Sequence, residues 1–538
     1  MIQSLRNIAR WPDRAVFVLL LLLCLPAFTI FLGLLPFIGD EGIRAMVALE
    51  MKISGNYILP TLNGSWYGNK PPLYNWILLG THQIFGYFGE IPSRATTLFF
   101  LVAYSWSVWH ITRRHFDALT AFTAAILLPT CGRILFWDSM MGLIDICFSW
   151  VIWLNFMVLY LYGKQERWTL LFVCSYLLAT VGYFLKGFPP AVFQALSVPT
   201  ALWLHGAFRR QFFSRAHLWG ILSGGVLFAA YYAAYASQVS LSRAFEMLLE
   251  QSLMRTATHY PWQATVKHLF LFPLEQLYHF LPWSLLLFFV FHPKFWRFVN
   301  QNEFVRFNFW ILLVNLPVYW SSVEVYPRYL LMFVPLFNLV FLYVSQTATA
   351  GSATLERLTH RACLLLSGLA ALVFWAVPPL IERAHQLAWF WPTWLLCGSL
   401  LTFAALALWA DPRRKLLWLA FSVLSIRIGL DLLVLPFRAQ DDITSQTRSD
   451  AKRLGSNWGD RQWYIYGRSE PHMVANFYLT NAAGEIVPRK EVADKTGDVF
   501  FVDKNLYPEV QGKVLDSMKI ETGGYLHLME LPLTVNAK

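Results

Sequence analysis

About thirteen apolar runs, most close to the ~20 residues needed to cross a bilayer, follow one another along this chain. They centre near residues 26, 102, 126, 152, 177, 196, 227, 281, 315, 337, 371, 398 and 425. Lipid satisfies no backbone polar group, so spans of this length must close their hydrogen bonds internally, as helices. Composition agrees: 57% of the residues are hydrophobic and 14% charged, against roughly 45–50% and ~25% in a soluble domain. A water-soluble fold of this length cannot enclose so much apolar surface. The expected fold class is therefore mostly α, a polytopic membrane protein, with one small soluble domain at the end of the chain. The first run, 15–38, follows Arg6, Arg10 and Arg14. It is too long for a signal-peptide core and lacks a small-residue cleavage site, so it reads as a retained first span.

The net charge of +11 has a topological explanation and does not call for nucleic acid. Starting from a cytoplasmic N-terminus, alternate connections carry two or three cations each: Arg113-Arg114, Lys164/Arg167, Arg209-Arg210/Arg215, Lys294/Arg297/Arg306, Arg357/Arg361 and Arg413-Arg414-Lys415. Two intervening loops carry one each, Arg133 and Arg383. This is the positive-inside distribution, and an odd number of spans puts the C-terminus outside. The six cysteines all fall inside apolar runs, with no CxxC or CxxH spacing; they read as small buried hydrophobes.

Two external loops, 39–92 and 237–269, are long and rich in aromatic residues, which implies packed structure. In the first, Ile43, Met46, Val47 and Met51 recur at helical spacing from Asp40 onward, and Gly55-Asn56 closes the helix. Asn63-Gly64 marks a turn, and Lys70-Pro71-Pro72 opens a second helix. The membrane domain is read as 1–436 and an extracytoplasmic α/β domain as 437–538. In the latter, β-like runs lie at 462–466, 498–502 and 525–531, with helices at 443–454 and 471–478.

Ionisable groups against a bilayer are costly, and each is a functional candidate by default. Here they gather at one face: Asp40, Glu41 and Lys70 in the first loop, Asp138 and Asp145 at the head of the fourth span, Lys186 at an outer turn, Arg255 and His259 in the second loop, and Arg328 at the head of the tenth span. Carboxylates supply a general base and cations hold a phosphate. Blander readings exist for each. Asp40-Glu41 suits a helix N-terminus, Arg328 suits an interfacial anchor that snorkels, and His259 suits a satisfied polar residue. Asp145 lies inside a span and must be paired or catalytic.

The first-loop residues Gly39-Asp40-Glu41-Gly42, Glu50-Met51, Ser54-Gly55-Asn56-Tyr57, Asn63-Gly64 and Asn69-Lys70-Pro71-Pro72-Leu73 resemble, in order and spacing, those of the GT-C-fold membrane glycosyltransferases. The resembling branch comprises the aminoarabinose and galacturonic acid transferases of lipopolysaccharide, with protein O-mannosyltransferases as more distant relatives. Asp145, Leu185-Lys186-Gly187, His259 and Tyr326-Pro327-Arg328-Tyr329 are supporting matches, and the resemblance spans essentially the whole chain.

The resemblance implies transfer of a sugar from a polyprenyl-phosphate donor to a glycolipid such as lipid A, a glycan or a protein, at the outer face of a bacterial inner membrane. It implies Asp40 as the base, with Asp145 supporting it. Lys70, Lys186, Arg255, Arg328 and Tyr329 then face the donor phosphate, and Glu41, Asn69, His259 and Asp138 are supporting residues. Metal-binding relatives carry a Glu where this chain has Asn69, paired with the histidine matching His259. A neutral amide is a poor zinc ligand, so no metal or other cofactor is expected.

Two other classes fit less well. A transporter of lipid-linked sugars shows paired halves with broken helices, and no such symmetry is present. A polysaccharide polymerase or ligase places long external loops late in the chain, whereas the longest here comes first. The basic loops yield a direct prediction for topology. A cysteine introduced after residue 450 should resist an impermeant maleimide applied to the cytoplasmic side of sealed vesicles, and modification from that side would reverse the topology.

Overall fold

The computed structural model describes residues 8–254, 260–520 and 522–532. Nearly every apolar run lies in a helix. The exception is the run near 281, where the Trp262–His279 helix ends and a 3-10 segment, Trp283–Phe291, takes over. Among the described residues, seven helices are long and apolar enough to cross a membrane by themselves: Asp145–Lys164, Trp168–Lys186, Arg215–Ala236, Pro327–Ala350, Ala353–Leu380, Phe390–Ala410 and Pro412–Leu433. The expected count of thirteen is thus not reproduced by length and apolarity alone. The remaining runs form shorter helices, such as Pro189–Leu204, or helices with buried charges, such as Glu90–Thr112. The chain is a multi-pass membrane protein.

Three spans are central and largely buried: Asp145–Lys164, Pro327–Ala350 and Pro412–Leu433. Peripheral spans turn apolar residues outward, as with Leu365, Leu369 and Leu372, which only a lipid solvent tolerates in such numbers. Among the inner helices, a closed polar triangle links three consecutive ones. Asn155 Nδ2 donates to Gln194 Oε1 (2.7 Å), Gln194 Nε2 donates to Ser175 Oγ (2.8 Å), and Ser175 Oγ donates to Asn155 Oδ1 (2.6 Å). Such bonds between spans contribute about 0.6 kcal/mol each on average. Their value here is registry, because the helices they tie begin with Asp145 and end with Lys186.

The first loop is folded as its sequence indicates. A helix runs Asp40–Ser54 and stops at Gly55, whose φ of +69° is the left-handed cap glycine allows. Asn63 and Gly64 both have positive φ and join a two-residue hairpin, Thr61–Leu62 with Ser65–Trp66, the turn that Asn-Gly favours. Glu50 holds that turn, accepting from the Asn63 amide (2.6 Å) and the Gly64 amide (3.2 Å). Burial pushes its carboxyl above the usual range against those bonds.

Beyond the last span, Ile443–Trp458 and Met473–Ala483 are helices and five strands form one sheet. Its order is Arg489–Lys490, Trp463–Tyr466, Val499–Asp503, Tyr525–Glu530, Lys513–Lys519. The first two pairings are parallel and the last two antiparallel. The apolar core runs without a break from the spans into this unit, taking in Trp463, Val474 and Phe477.

A buried ion pair ties the first loop to the bundle. Glu41 accepts from Arg94 Nε (2.9 Å) and Nη2 (3.1 Å), from the Gly142 amide (2.7 Å) and from the Ile38 amide (3.1 Å). Arg94 also donates to the carbonyls of Leu32, Leu35 and Pro36 at 2.8–2.9 Å. Gly142 must be glycine here, since a Cβ would lie 2.6 Å from Ser93 Cβ. Glu41→Ala leaves a guanidinium buried without its carboxylate, and should destabilise the protein by about 3–5 kcal/mol. The check is the midpoint of thermal unfolding in detergent micelles, where an unchanged value would remove the pair from this role.

Candidate functional site

Adjacent acids at the start of the Asp40–Ser54 helix face opposite ways. Gly39, with φ of +53°, turns the chain into the helix and makes no side-chain cap. Glu41 is then fully buried in the pair just described. Its oxygens are all engaged, so the expected supporting role is structural in kind. Asp40 is left pointing out, 49% exposed, with Oδ2 accepting from Arg328 Nη2 at 2.8 Å.

From Asp40 the charges alternate inward. Arg328 Nε lies 3.6 Å from Asp145 Oδ2, and Asp145 Oδ1 accepts from Lys186 Nζ at 2.5 Å. Each member comes from a helix end. Arg328 opens the 3-10 turn Pro327–Phe333, Asp145 opens its span, and Lys186 closes its own before Gly187. Lys186 sits 3.7 Å from the Tyr329 ring centroid and 5.0 Å from that of Phe148, so its ammonium has an aromatic floor on two sides. Arg328 lies 4.6 Å from the centre of Tyr326. Lys70, on the approach to the Leu73–Phe85 helix, acts electrostatically on Asp145. Three cations thus face two carboxylates, and the centre has a surplus of positive charge beside one accessible acid.

Asp138 is engaged by Arg133 through two bonds of 3.1 Å. Burial nonetheless pushes its carboxyl up to about 6, against the opposing charges of Arg133 and Arg328. Its turn is held by the last span: Arg427 pairs with Asp431 at 2.7 Å and donates to the Leu135 carbonyl and to Ser139. Asn69 is partly buried next to Lys70. Arg255 and His259 lie outside the described residues. Among those residues, no three of His, Cys, Asp and Glu gather as metal ligands.

Sequence reasoning missed Arg44. It sits one helical turn after Asp40, is 7% exposed, and its guanidinium donates to the Tyr67 hydroxyl (3.3 Å) and lies 5.8 Å from that ring's centre. The available signal was its spacing of four from Asp40, which places the two on one helix face.

Residues 69–235, which include Lys70, Asp138, Asp145 and Lys186, match the dolichyl-phosphate-mannose-protein mannosyltransferase family model. The crystal structure of ArnT from Cupriavidus metallidurans bound to undecaprenyl phosphate superposes with a TM-score of 0.69 at 16% identity, covering 95% of this chain and 97% of that one. The chain shares the fold of that protein. The apo form of the same ArnT gives a TM-score of 0.67 at 16% identity with the same coverage. An archaeal oligosaccharyltransferase, AglB from Archaeoglobus fulgidus, in complex with an inhibitory peptide and a dolichol-phosphate, gives 0.42 at 13% identity, over 97% of this chain and 75% of that one; it carries no argument here. No curated protein sequence matches the chain significantly. The family match covers three of the five charged groups of the centre, Lys70, Asp145 and Lys186, while Asp40 and Arg328 fall outside it.

Proposed function

We propose that the protein transfers a sugar from a polyprenyl-phosphate donor to a hydroxyl acceptor at the outer face of the membrane, with Asp40 as the base. The observation that carries this reading is the asymmetry of the two linked carboxylates. Asp145 is 6% exposed and bonded to Lys186, whereas Asp40 is 49% exposed and held by a single Arg328 nitrogen. Only Asp40 can meet a hydroxyl from solution or from the membrane surface. Asp145 serves by keeping Arg328 and Lys186 charged and aimed.

The step is one displacement. The acceptor oxygen forms a bond to the anomeric carbon as its proton passes to Asp40. The bond from that carbon to the phosphate oxygen breaks, and its electron pair leaves with polyprenyl phosphate. The phosphate is already a good leaving group, so the work is electrostatic, and fixed cations stabilise the charge it develops. In this reading Lys70, Lys186 and Arg328, whose charges all act on Asp145, take that role, with Tyr329 as the floor under Lys186. Arg44 adds a buried positive charge one turn along. Attack opposite the leaving group inverts the anomeric centre, with no covalent intermediate.

Two outcomes test this reading. Asp40→Asn keeps the shape of the side chain and removes its charge. It should still bind undecaprenyl phosphate while transferring sugar at least ~100-fold more slowly, the loss typical of a missing general base. Near-normal turnover in Asp40→Asn with loss in Asp145→Asn would reverse the assignment, and activity in both would exclude the mechanism. We also propose that no metal takes part, because Asn69 offers a neutral amide where a divalent ion needs a carboxylate. Turnover of purified protein on polyprenyl-phosphate sugars should survive exhaustive EDTA, and restoration of a lost activity by a divalent ion would refute this.

A further inference from the structure

The loop bearing Asp40 is gripped from two sides by one helix. Arg94 holds it from within the bundle, and Glu90, one turn earlier on the Glu90–Thr112 helix, holds it through the soluble domain. Tyr478, on the Met473–Ala483 helix of that domain, donates its hydroxyl to Glu90 Oε1 at 2.6 Å. The same hydroxyl accepts the backbone N–H of Phe37 at 3.0 Å, three residues before Asp40. Arg448 completes the node, bonding Glu90 Oε1 at 2.9 Å and the Leu34 carbonyl at 3.0 Å.

Packing points the same way. The Phe37 ring meets Phe477 edge-on at 4.8 Å and lies nearly parallel to Tyr478 at 6.1 Å. The Asp40–Ser54 helix touches the domain helix backbone to backbone, since a Cβ on Gly42 would lie 3.0 Å from Val474 Cα. At the far end of the loop, Asn63 Nδ2 donates to the Val487 carbonyl at 3.3 Å. Tyr478 is 6% exposed, and burial raises its hydroxyl above the usual tyrosine range, so it remains a donor at neutral pH.

We infer that the C-terminal soluble domain is a brace for the Asp40 loop and that Tyr478 is a positioning residue acting through Asp40. The inference rests on the reading of Asp40 as the base. The span leading into the loop ends at Thr29, and the chain from there to Asp40 has no regular structure to orient the acid. The bonds from Arg94 set its depth, and the Tyr478 hydroxyl fixes the last peptide groups before Gly39 turns. A catalytic group displaced by about 1 Å can lose ~100-fold in rate, so a brace far in sequence from the acid has a kinetic consequence.

The test uses the full-length protein. Tyr478→Phe removes the hydroxyl and keeps the ring that packs on Phe37. It should insert and fold normally, keep its affinity for undecaprenyl phosphate and its KM for the donor, and lose about 10–100-fold in kcat. Glu90→Gln should lose less, because the amide can still accept from Tyr478. In the Asp40→Asn background, Tyr478→Phe should cause no further loss, as expected of two groups acting as one unit. Wild-type turnover in Tyr478→Phe overturns the brace. So does an equal fractional loss with and without Asp40, which marks a structural role only. Normal turnover in Asp40→Asn strikes the base assignment instead, whereas a slow Asp40→Asn beside a normal Tyr478→Phe strikes the brace alone.

Discussion

The buried pair between Glu41 and Arg94 is the contact from which the geometry of the charged cluster follows. An isolated carboxylate or guanidinium in such a setting would cost several kcal/mol. Here Glu41 accepts four hydrogen bonds, and Arg94 donates to three carbonyls besides its partner. The carbonyls belong to the irregular stretch after the first span, and the Gly142 amide belongs to the turn that leads into Asp145. One ion pair therefore joins the strand of chain before Asp40 to the one before Asp145. Because Glu41 is drawn inward, the helix presents Asp40 outward, and one acid is exposed as a consequence of its neighbour being buried.

The alternation Asp40, Arg328, Asp145, Lys186 follows from the same economy of charge. A site at a membrane cannot gather three cations without compensation, and two carboxylates give most of it. Exposure then separates the two acids, since Asp145 is buried against Lys186 and Arg328 while Asp40 stands half-exposed. The polar triangle of Asn155, Ser175 and Gln194 lies deeper and touches no charge, yet it sets the register of the helices that deliver Asp145 and Lys186.

Much of the architecture was legible in the sequence because the signals were local. Run length marks a helix in lipid; Asn63-Gly64 can close a two-residue hairpin at little strain; Gly55 ends a helix where φ turns positive. The strands 463–466, 499–503 and 525–530 stood out as short apolar runs within a polar region. The strand Lys513–Lys519 did not. Its residues, Lys-Val-Leu-Asp-Ser-Met-Lys, carry no clean alternation, and it is a strand because Tyr525–Glu530 offers it an unpaired edge. The break near residue 281 was equally silent, since apolarity does not say whether a run stays α-helical.

By itself, then, the sequence determined that the chain lives in lipid, where most of its helices lie, and that acids and cations collect at one face. Those properties depend on neighbours a few residues apart, and the physics of a helix or a turn acts over that range. Only the tertiary structure decided the partners. Lys186 meets Asp145 across 41 residues, Arg328 meets Asp40 across 288, and Tyr478 meets Phe37 across 441. No periodicity encodes such separations. They are set when packing brings helix ends together and each buried charge takes the opposite charge within reach. Which of two adjacent acids is buried in an ion pair and which is left exposed was decided at that stage.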